Sequence, residues 1–328
     1  MNLNAELKNL FNRQLASWPA LRDRYDSLKQ ARWRLLTGYE PGSATVLVQF
    51  NPHRYRSSAA TLLPETLTQD KCFLCVENQP KEQEMVKWEG YKVQVNPYPI
   101  FSRHFTIASL RHEPQRISGR IADMMSLAKS LPGYVVFYNG PHSGASAPHH
   151  FHFQAAPCCE MPLCSQIQNL PSDSDIKSNH IDVCREKVFT GFRLFTLGRV
   201  MYYFSCRHWE DASEWFEKLQ SQLPASGEGE PGQNILCWAG SGDNAYNLIV
   251  FPRFRHRPQC YGEGENQFLV SPASVDLGGL ITLARKEDFE RITVDDVMKI
   301  FCEVTRSDDD AQQSLQEIEN EKQKTLAY

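Results

Sequence analysis

Three of the chain's 10 histidines fall within four residues, in the run Asn139-Gly140-Pro141-His142-Ser143-Gly144-Ala145-Ser146-Ala147-Pro148-His149-His150-Phe151-His152-Phe153-Gln154. Side chains alternate between faces along a strand, so His150, His152 and Gln154 are expected on one face and Phe151 and Phe153 on the other. Two imidazoles and an amide backed by aromatic rings make a polar strip; a solvent face would mix in Lys, Glu or Thr. The Gly/Ser-rich stretch before it, with Asn139, Gly144 and Ser146, can offer backbone N–H groups to phosphate oxygens. Three readings fit these residues. One is a surface strand with incidental histidines. Another is a metal site using His150 and His152 together. The third is an imidazole nucleophile oriented by its neighbours.

Other residues suggest chemistry with less specificity. Cys72-Phe73-Leu74-Cys75 is a redox pair, half of a zinc site, or two core thiols. Arg54 and Arg56 follow an apolar segment through Asn51-Pro52-His53, and two guanidiniums there suit phosphate recognition or a plain surface pair. Asn96-Pro97-Tyr98-Pro99 is a rigid turn into a strand. Arg253, Arg255 and Arg257 alternate, so on a strand they share a face and would form a phosphate-binding row or a solvated edge.

These residues must be placed by a framework. The 328 residues suggest about two domains at roughly 150 residues each. Hydrophobic residues make up 41% and charged residues 23%, ordinary globular usage that excludes a disordered or collagen-like chain. A net charge of -4 lacks the basic footprint of a nucleic-acid binder. No apolar run approaches the roughly 20 residues of a membrane span, and the N-terminus lacks an apolar signal core. A soluble, cytoplasmic protein is expected. The 10 cysteines are then mostly core thiols rather than a disulfide framework.

Helical spacing of Leu3, Leu7, Leu10, Phe11 and Leu15, resumed by Leu21, Tyr25 and Leu28 after Pro19, predicts helices through 2–36. Strands are expected at 44–50, 91–95, 104–110, 134–139, 150–155, 190–197, 199–205, 234–239, 246–251, 267–270 and 279–284. Helices are expected at 117–130, 209–221 and 294–305. Polar loops lie at 51–85 and 165–183. Each half gives several strands with a helix or two, which argues an α+β fold with antiparallel sheet. The recurring order suggests a divergent duplication. The divisions are N-terminal helices at 1–36, a half with the histidine strip at 37–165, a connection at 166–185, a second half without a His-x-His pair at 186–305 and a charged tail at 306–328.

The string Gly144-Ala145-Ser146-x-Pro148-x-His150-x-His152-x-Gln154 resembles the His-x-His-x-Gln signature of the transferase branch of the histidine-triad superfamily. That branch includes galactose-1-phosphate uridylyltransferase, diadenosine tetraphosphate phosphorylase and GDP-L-galactose phosphorylase. The resemblance implies duplicated antiparallel sheets related by a pseudo-two-fold and a covalent nucleotidyl intermediate on His152, so that the half at 37–165 is catalytic and the half at 186–305 is silent. It also implies transfer to an acceptor, because Gln154 stands where hydrolases carry a third histidine. His150 and Gln154 would assist. Arg54, Arg56 and Asn96 would line the nucleotide pocket. A structural zinc would be held by Cys72, Cys75, His112 and His150, with His104 and His149 as competing ligands. In the second half, Tyr246-Asn247-Leu248 and Arg257-Pro258-Gln259-Cys260-Tyr261 are similar to segments of the phosphorylases. Gly262-Glu263-Gly264-Glu265 departs from the plant-type pattern.

The implied activity is transfer of a nucleoside monophosphate from a nucleoside-diphosphate sugar to phosphate or a sugar-1-phosphate. The alternatives are a diadenosine polyphosphate phosphorylase and a nucleotide-binding protein without chemistry. The expected partners are a nucleotide or nucleotide-sugar substrate and an anionic acceptor, with neither nucleic acid nor membrane, and a homodimer by resemblance.

Overall fold

A computed structural model describes residues 2–38, 45–55, 59, 71–168, 191–196, 199–206, 208–225, 229–240 and 246–307, with a few positions beyond. The predicted connection at 166–185 and tail at 306–328 fall largely outside these residues, as does Arg56.

Two helices open the chain, α1 (Leu3–Ser17) and α2 (Pro19–Lys29). The Asn2 side chain caps α1 by accepting from Ala5 N at 3.2 Å, and Pro19 starts α2 at a position where its missing N–H costs nothing. The helical expectation for 2–36 fails at its end. Arg32–Thr37 is a strand, β1, paired antiparallel along its whole length with β2 (Thr45–Phe50). β2 also pairs in parallel with β12 (Leu280–Leu283), giving a three-stranded sheet.

The remaining strands form one nine-stranded sheet. Its first five members are β3 (Val86–Trp88), β4 (Tyr91–Val95), β5 (Phe105–Ser109), β6 (Tyr134–Asn139) and β7 (His152–Pro157). They are followed by β8 (Gly191–Thr196), β9 (Arg199–Cys206), β10 (Gln233–Ala239) and β11 (Tyr246–Pro252). The order is β3-β4-β5-β7-β6-β10-β11-β9-β8, antiparallel throughout. The mixed α+β architecture with antiparallel sheet is the expected one. Three local expectations are corrected. The strand expected at 150–155 begins at His152, leaving His150 in the preceding turn. The helix expected from 117 begins at Ile121 (α3, Ile121–Ser130). The strand expected at 267–270 is a single bridge, Tyr261 to Phe268.

Period-2 patterning gives the large sheet two different faces. One face carries Val93, Ile107, Val136, Tyr138, Phe153, Ala155, Tyr202, Ile235 and Val250. It is covered by α1, α2, α3 and α4 (Trp209–Gln222), whose Leu7, Tyr25, Met124, Met125 and Trp215 complete that core. On the other face the second half is also apolar. Leu236, Trp238, Ile249 and Phe251 there pack against the small sheet and the C-terminal helices, including α5 (Val294–Val304). The same face of β4, β5 and β7 is polar, with Lys92, Gln94, Thr106, His152 and Gln154 in adjacent rows. Among the described residues no helix is long and apolar enough to cross a membrane.

Candidate functional site

His152 begins β7, opposite Ala108, and Gln154 lies opposite Thr106. Behind them Phe151 and Phe153 anchor the strand in the apolar core, edge to face at 4.8 Å between centroids. The backbone of His152 is clamped by Gln115. Its Oε1 accepts from His152 N at 2.7 Å, and its Nε2 donates to the carbonyls of His152 at 2.9 Å and Asn139 at 3.0 Å. Gln115 is fully buried. Nothing about its type or spacing marks it in the sequence; only the fold shows that it joins β6 to β7.

The His152 ring is 3% exposed. Its Nδ1 lies 2.9 Å from the His150 carbonyl oxygen. A carbonyl only accepts, so Nδ1 carries the proton and Nε2 keeps its lone pair. Nε2 has no hydrogen bond among the described residues. Burial, with smaller contributions from His150 and His149, lowers the His152 pKa to about 4, so the ring is neutral near neutral pH.

His150 and His152 do not present their rings to a common site. The His150 ring faces the two cysteines, with Nδ1 at 3.3 Å from Cys72 Sγ and 3.6 Å from Cys75 Sγ. Its Nε2 donates to the Ser109 carbonyl at 3.0 Å, which leaves Nδ1 as the free lone pair. His112 Nδ1 lies 3.1 Å from Cys75 Sγ. The ligand atoms of Cys72, Cys75, His112 and His150 all lie within 4.8 Å of one another. A tetrahedral zinc site needs about 3.6 Å between a thiolate sulfur and an imidazole nitrogen, so the donor set and its spacing fit. The metal reading that joins the His150 and His152 rings is thereby corrected, since only His150 reaches the thiols. The competing ligands are elsewhere too. His149 stacks on His112 at 5.5 Å, and His104 is bonded to Gln154.

The cysteine turn is tied to the sheet. Cys75 N donates to Cys72 O at 3.1 Å and Asn78 Nδ2 to the same carbonyl at 3.0 Å. Leu74 packs against Ala108 and Ala147. The buried Lys92 ammonium donates to the Leu74 carbonyl. Burial raises the Cys75 pKa, and the neighbouring Cys72 adds to this.

Gln154 Oε1 lies 2.9 Å from Nε2 of His104, a buried residue beside the start of β5. Arg54 sits in the short turn after β2 and donates to the Tyr98 carbonyl at 3.5 Å. Its charge lowers the pKa of His104 and that of Asp276. A cavity of about 270 Å³ adjoins this turn, lined in part by Arg24, Asn51, His53 and Tyr98.

The other predicted residues divide. Asn96 closes its own turn: Oδ1 accepts from Tyr98 N at 2.8 Å and Nδ2 donates to Thr106 Oγ1 at 3.1 Å. Asn139 Oδ1 accepts from Asn234 Nδ2 at 2.8 Å and Ser274 N at 2.9 Å, so its oxygen is committed to the seam between the halves. Gly144 adopts φ +94° where a Cβ would stand 2.7 Å from the Ala273 Cβ, and this close approach docks the 140–150 loop on the second half. Ser146 is exposed on that loop.

Arg253 is corrected as a phosphate ligand. Nε donates to Val304 O, Nη1 to Asn234 Oδ1 and Pro272 O, and Nη2 to Arg255 O and His256 O. That consumes all five donors of a guanidinium. Nor do Arg253, Arg255 and Arg257 share a strand face, because β11 ends at Pro252. Arg255 instead lies over the Phe254 ring at 5.1 Å and Arg257 over Tyr261 at 4.6 Å.

Comparison with known proteins agrees with this architecture. The chain superposes on yeast Ap4A phosphorylase Apa2 with TM-score 0.55 and 17% identity, covering 88% of this chain and 96% of that one. Against the same enzyme in complex with AMP the TM-score is 0.53 at 18% identity, covering 89% and 96%. Against its complex with Ap4A the TM-score is 0.53 at 18% identity, covering 88% and 96%. The chain shares the fold of that enzyme. Residues 10–157 match the family described as a domain of unknown function, DUF4922. Residues 213–324 match the GDPGP1-like C-terminal domain. No curated protein matches the sequence significantly. The residues described above gather on the polar half of one sheet face, on β4, β5 and β7, beside the half that the small sheet and the C-terminal helices bury.

Proposed function

We propose that the protein is a nucleotidyltransferase or phosphorylase that works through a covalent nucleotidyl-His152 on a nucleoside-diphosphate sugar. The observation that carries this is the His152 ring, held with its proton on Nδ1 by the His150 carbonyl at 2.9 Å and with Nε2 unbonded. The Nε2 lone pair attacks the α-phosphorus in line. A nitrogen–phosphorus bond forms as the bond to the sugar-1-phosphate breaks. An oxygen of phosphate, or of a second sugar-1-phosphate, then attacks the same phosphorus and expels His152 unchanged. The Gln154 amide stabilises the charge developing on a non-bridging oxygen. Arg54, whose charge reaches His104, supplies positive charge for the phosphates.

The fold of an Ap4A phosphorylase and the GDPGP1-like match of residues 213–324 support this reading. The overlap with Apa2 in its Ap4A complex also supports a second one, phosphorolysis of a diadenosine polyphosphate. Cys72, Cys75, His112 and His150 would hold a zinc ion, which would supply no bond to substrate and would lock the turn whose His150 carbonyl aims His152.

The test is intact-protein mass after a neutral denaturing quench, with GDP-, ADP- and UDP-hexoses and with Ap4A. The expected result is one added nucleoside monophosphate, whose mass names the base, discharged by phosphate and absent in His152→Ala. Wild-type protein that binds nucleotides yet gains no mass with any of them would leave only a binding function.

A further inference from the structure

We infer that His104 is a positioning residue that fixes which end of the Gln154 amide faces the reacting phosphate. The inference rests on the nucleotidyl-transfer reading above. An amide has nearly the same shape after a half-turn, and only its N–H2 end attracts a phosphoryl oxygen, while its carbonyl end repels one. Something must therefore choose between the two orientations.

The choice begins at the backbone. Ile100 N lies 3.3 Å from His104 Nδ1 and can only donate, so Nδ1 must be the ring's lone-pair nitrogen. A neutral imidazole then carries its single proton on Nε2. Nε2 lies 2.9 Å from Gln154 Oε1, which receives that proton and is held there. The N–H2 end is left to the polar face of β7 that Gln154 shares with His152. The ring itself has little freedom. It is 1% exposed, edge-on to Phe101 at 5.5 Å and tilted by 34° against Phe137 at 5.9 Å. Its own carbonyl accepts from Tyr25 OH at 3.1 Å and Asn96 N at 2.8 Å. Burial and the Arg54 charge lower the His104 pKa to about 3, so the ring stays neutral and the direction of the chain of donors does not reverse at neutral pH.

Two near-isosteric variants separate positioning from packing. His104→Gln keeps an amide nitrogen near the Nε2 position, within reach of Gln154. His104→Asn keeps an acceptor near Nδ1 for Ile100 but cannot reach Gln154. Single-turnover adduct formation should slow by about tenfold to a hundredfold in His104→Asn, within the range for losing one oriented donor. His104→Gln should recover most of the rate, and nucleotide affinity should change by less than about twofold. In the double variant His104→Asn/Gln154→Ala the rate should equal that of Gln154→Ala alone. Adduct formation at the wild-type rate in His104→Asn would overturn the inference, as would a loss that multiplies with Gln154→Ala. Should the wild type form no adduct, the parent reading fails by itself. The inference is then decided by the side-chain N–H2 resonances of 15N-glutamine-labelled protein. A Gln154 N–H2 pair at the same shifts in wild type and His104→Gln, and moved towards free-amide values in His104→Asn, supports it; identical spectra overturn it.

Discussion

His150 and His152 are two residues apart and do different work, because one peptide carbonyl separates their rings. His150 turns its Nδ1 to the thiols, and its carbonyl takes the Nδ1 proton of His152. A candidate metal ligand and a candidate nucleophile are thus coupled without sharing an atom. His104 shows a third use of the same side chain, neutral by burial rather than by coordination. This makes stability depend on pH with a definite sign. The folded ring stays unprotonated down to about pH 3, while the unfolded ring takes up a proton below its ordinary value of 6.5. The unfolded state therefore gains protons first as pH falls, and stability declines below about 6.5. Relative to His104→Asn, the wild type should lose about 2 kcal/mol between pH 7.5 and pH 5. Urea melts followed by circular dichroism at those two pH values measure the difference, and a constant gap would refute the assignment.

The cysteine turn is the element on which the site's precision depends. It is anchored by Leu74 on Ala108 and Ala147, by the Lys92 bond, by the Gln79–Gln94 amide pair and by the four convergent ligands. Metal binding would add a crosslink among the cysteine turn, the segment after β5 and the turn before β7. Purified protein should contain one zinc per chain by emission spectrometry. Stripping the metal, or Cys75→Ser, should lower the melting temperature by several degrees. Either change should also slow adduct formation by about tenfold to a hundredfold, with a smaller effect on nucleotide affinity. Metal-free protein whose melting is indifferent to chelator would instead return Cys72 and Cys75 to a dithiol role.

At the scale of the molecule, the two stretches expected as halves share one sheet. β6 pairs with β10 over Asn139↔Asn234 to Val135↔Trp238, and β2 is completed by β12 from the far end of the sequence. Both cores take residues from before 169 and after 198. Separating the stretches would expose two long apolar edges and open both cores. Residues 1–168 expressed alone should fail to give a cooperative melt, whereas the full chain should unfold in one transition by calorimetry. An independently folded, cooperatively melting 1–168 fragment would show that the seam is an interface between autonomous units.

What can be read from the sequence is whatever depends on local order. The alternation at 150–154 places His152 and Gln154 on one face because a strand has period 2, and Cys72-x-x-Cys75 presents two thiols from one turn. Helical spacing located α1, α2 and α4 for the same reason. What depends on distant segments was decided only in three dimensions. The strand at Arg32–Thr37 exists because β2 lies beside it. Arg253 spends its charge on carbonyls 19 to 51 residues away or on its own turn. Gln115 and His104 gained their places because tertiary packing brought them against His152 and Gln154. Composition carries the types of the reacting groups and spacing carries their faces. Which nitrogen is free and which donor is already used are set by partners far along the chain, and no local pattern encodes those.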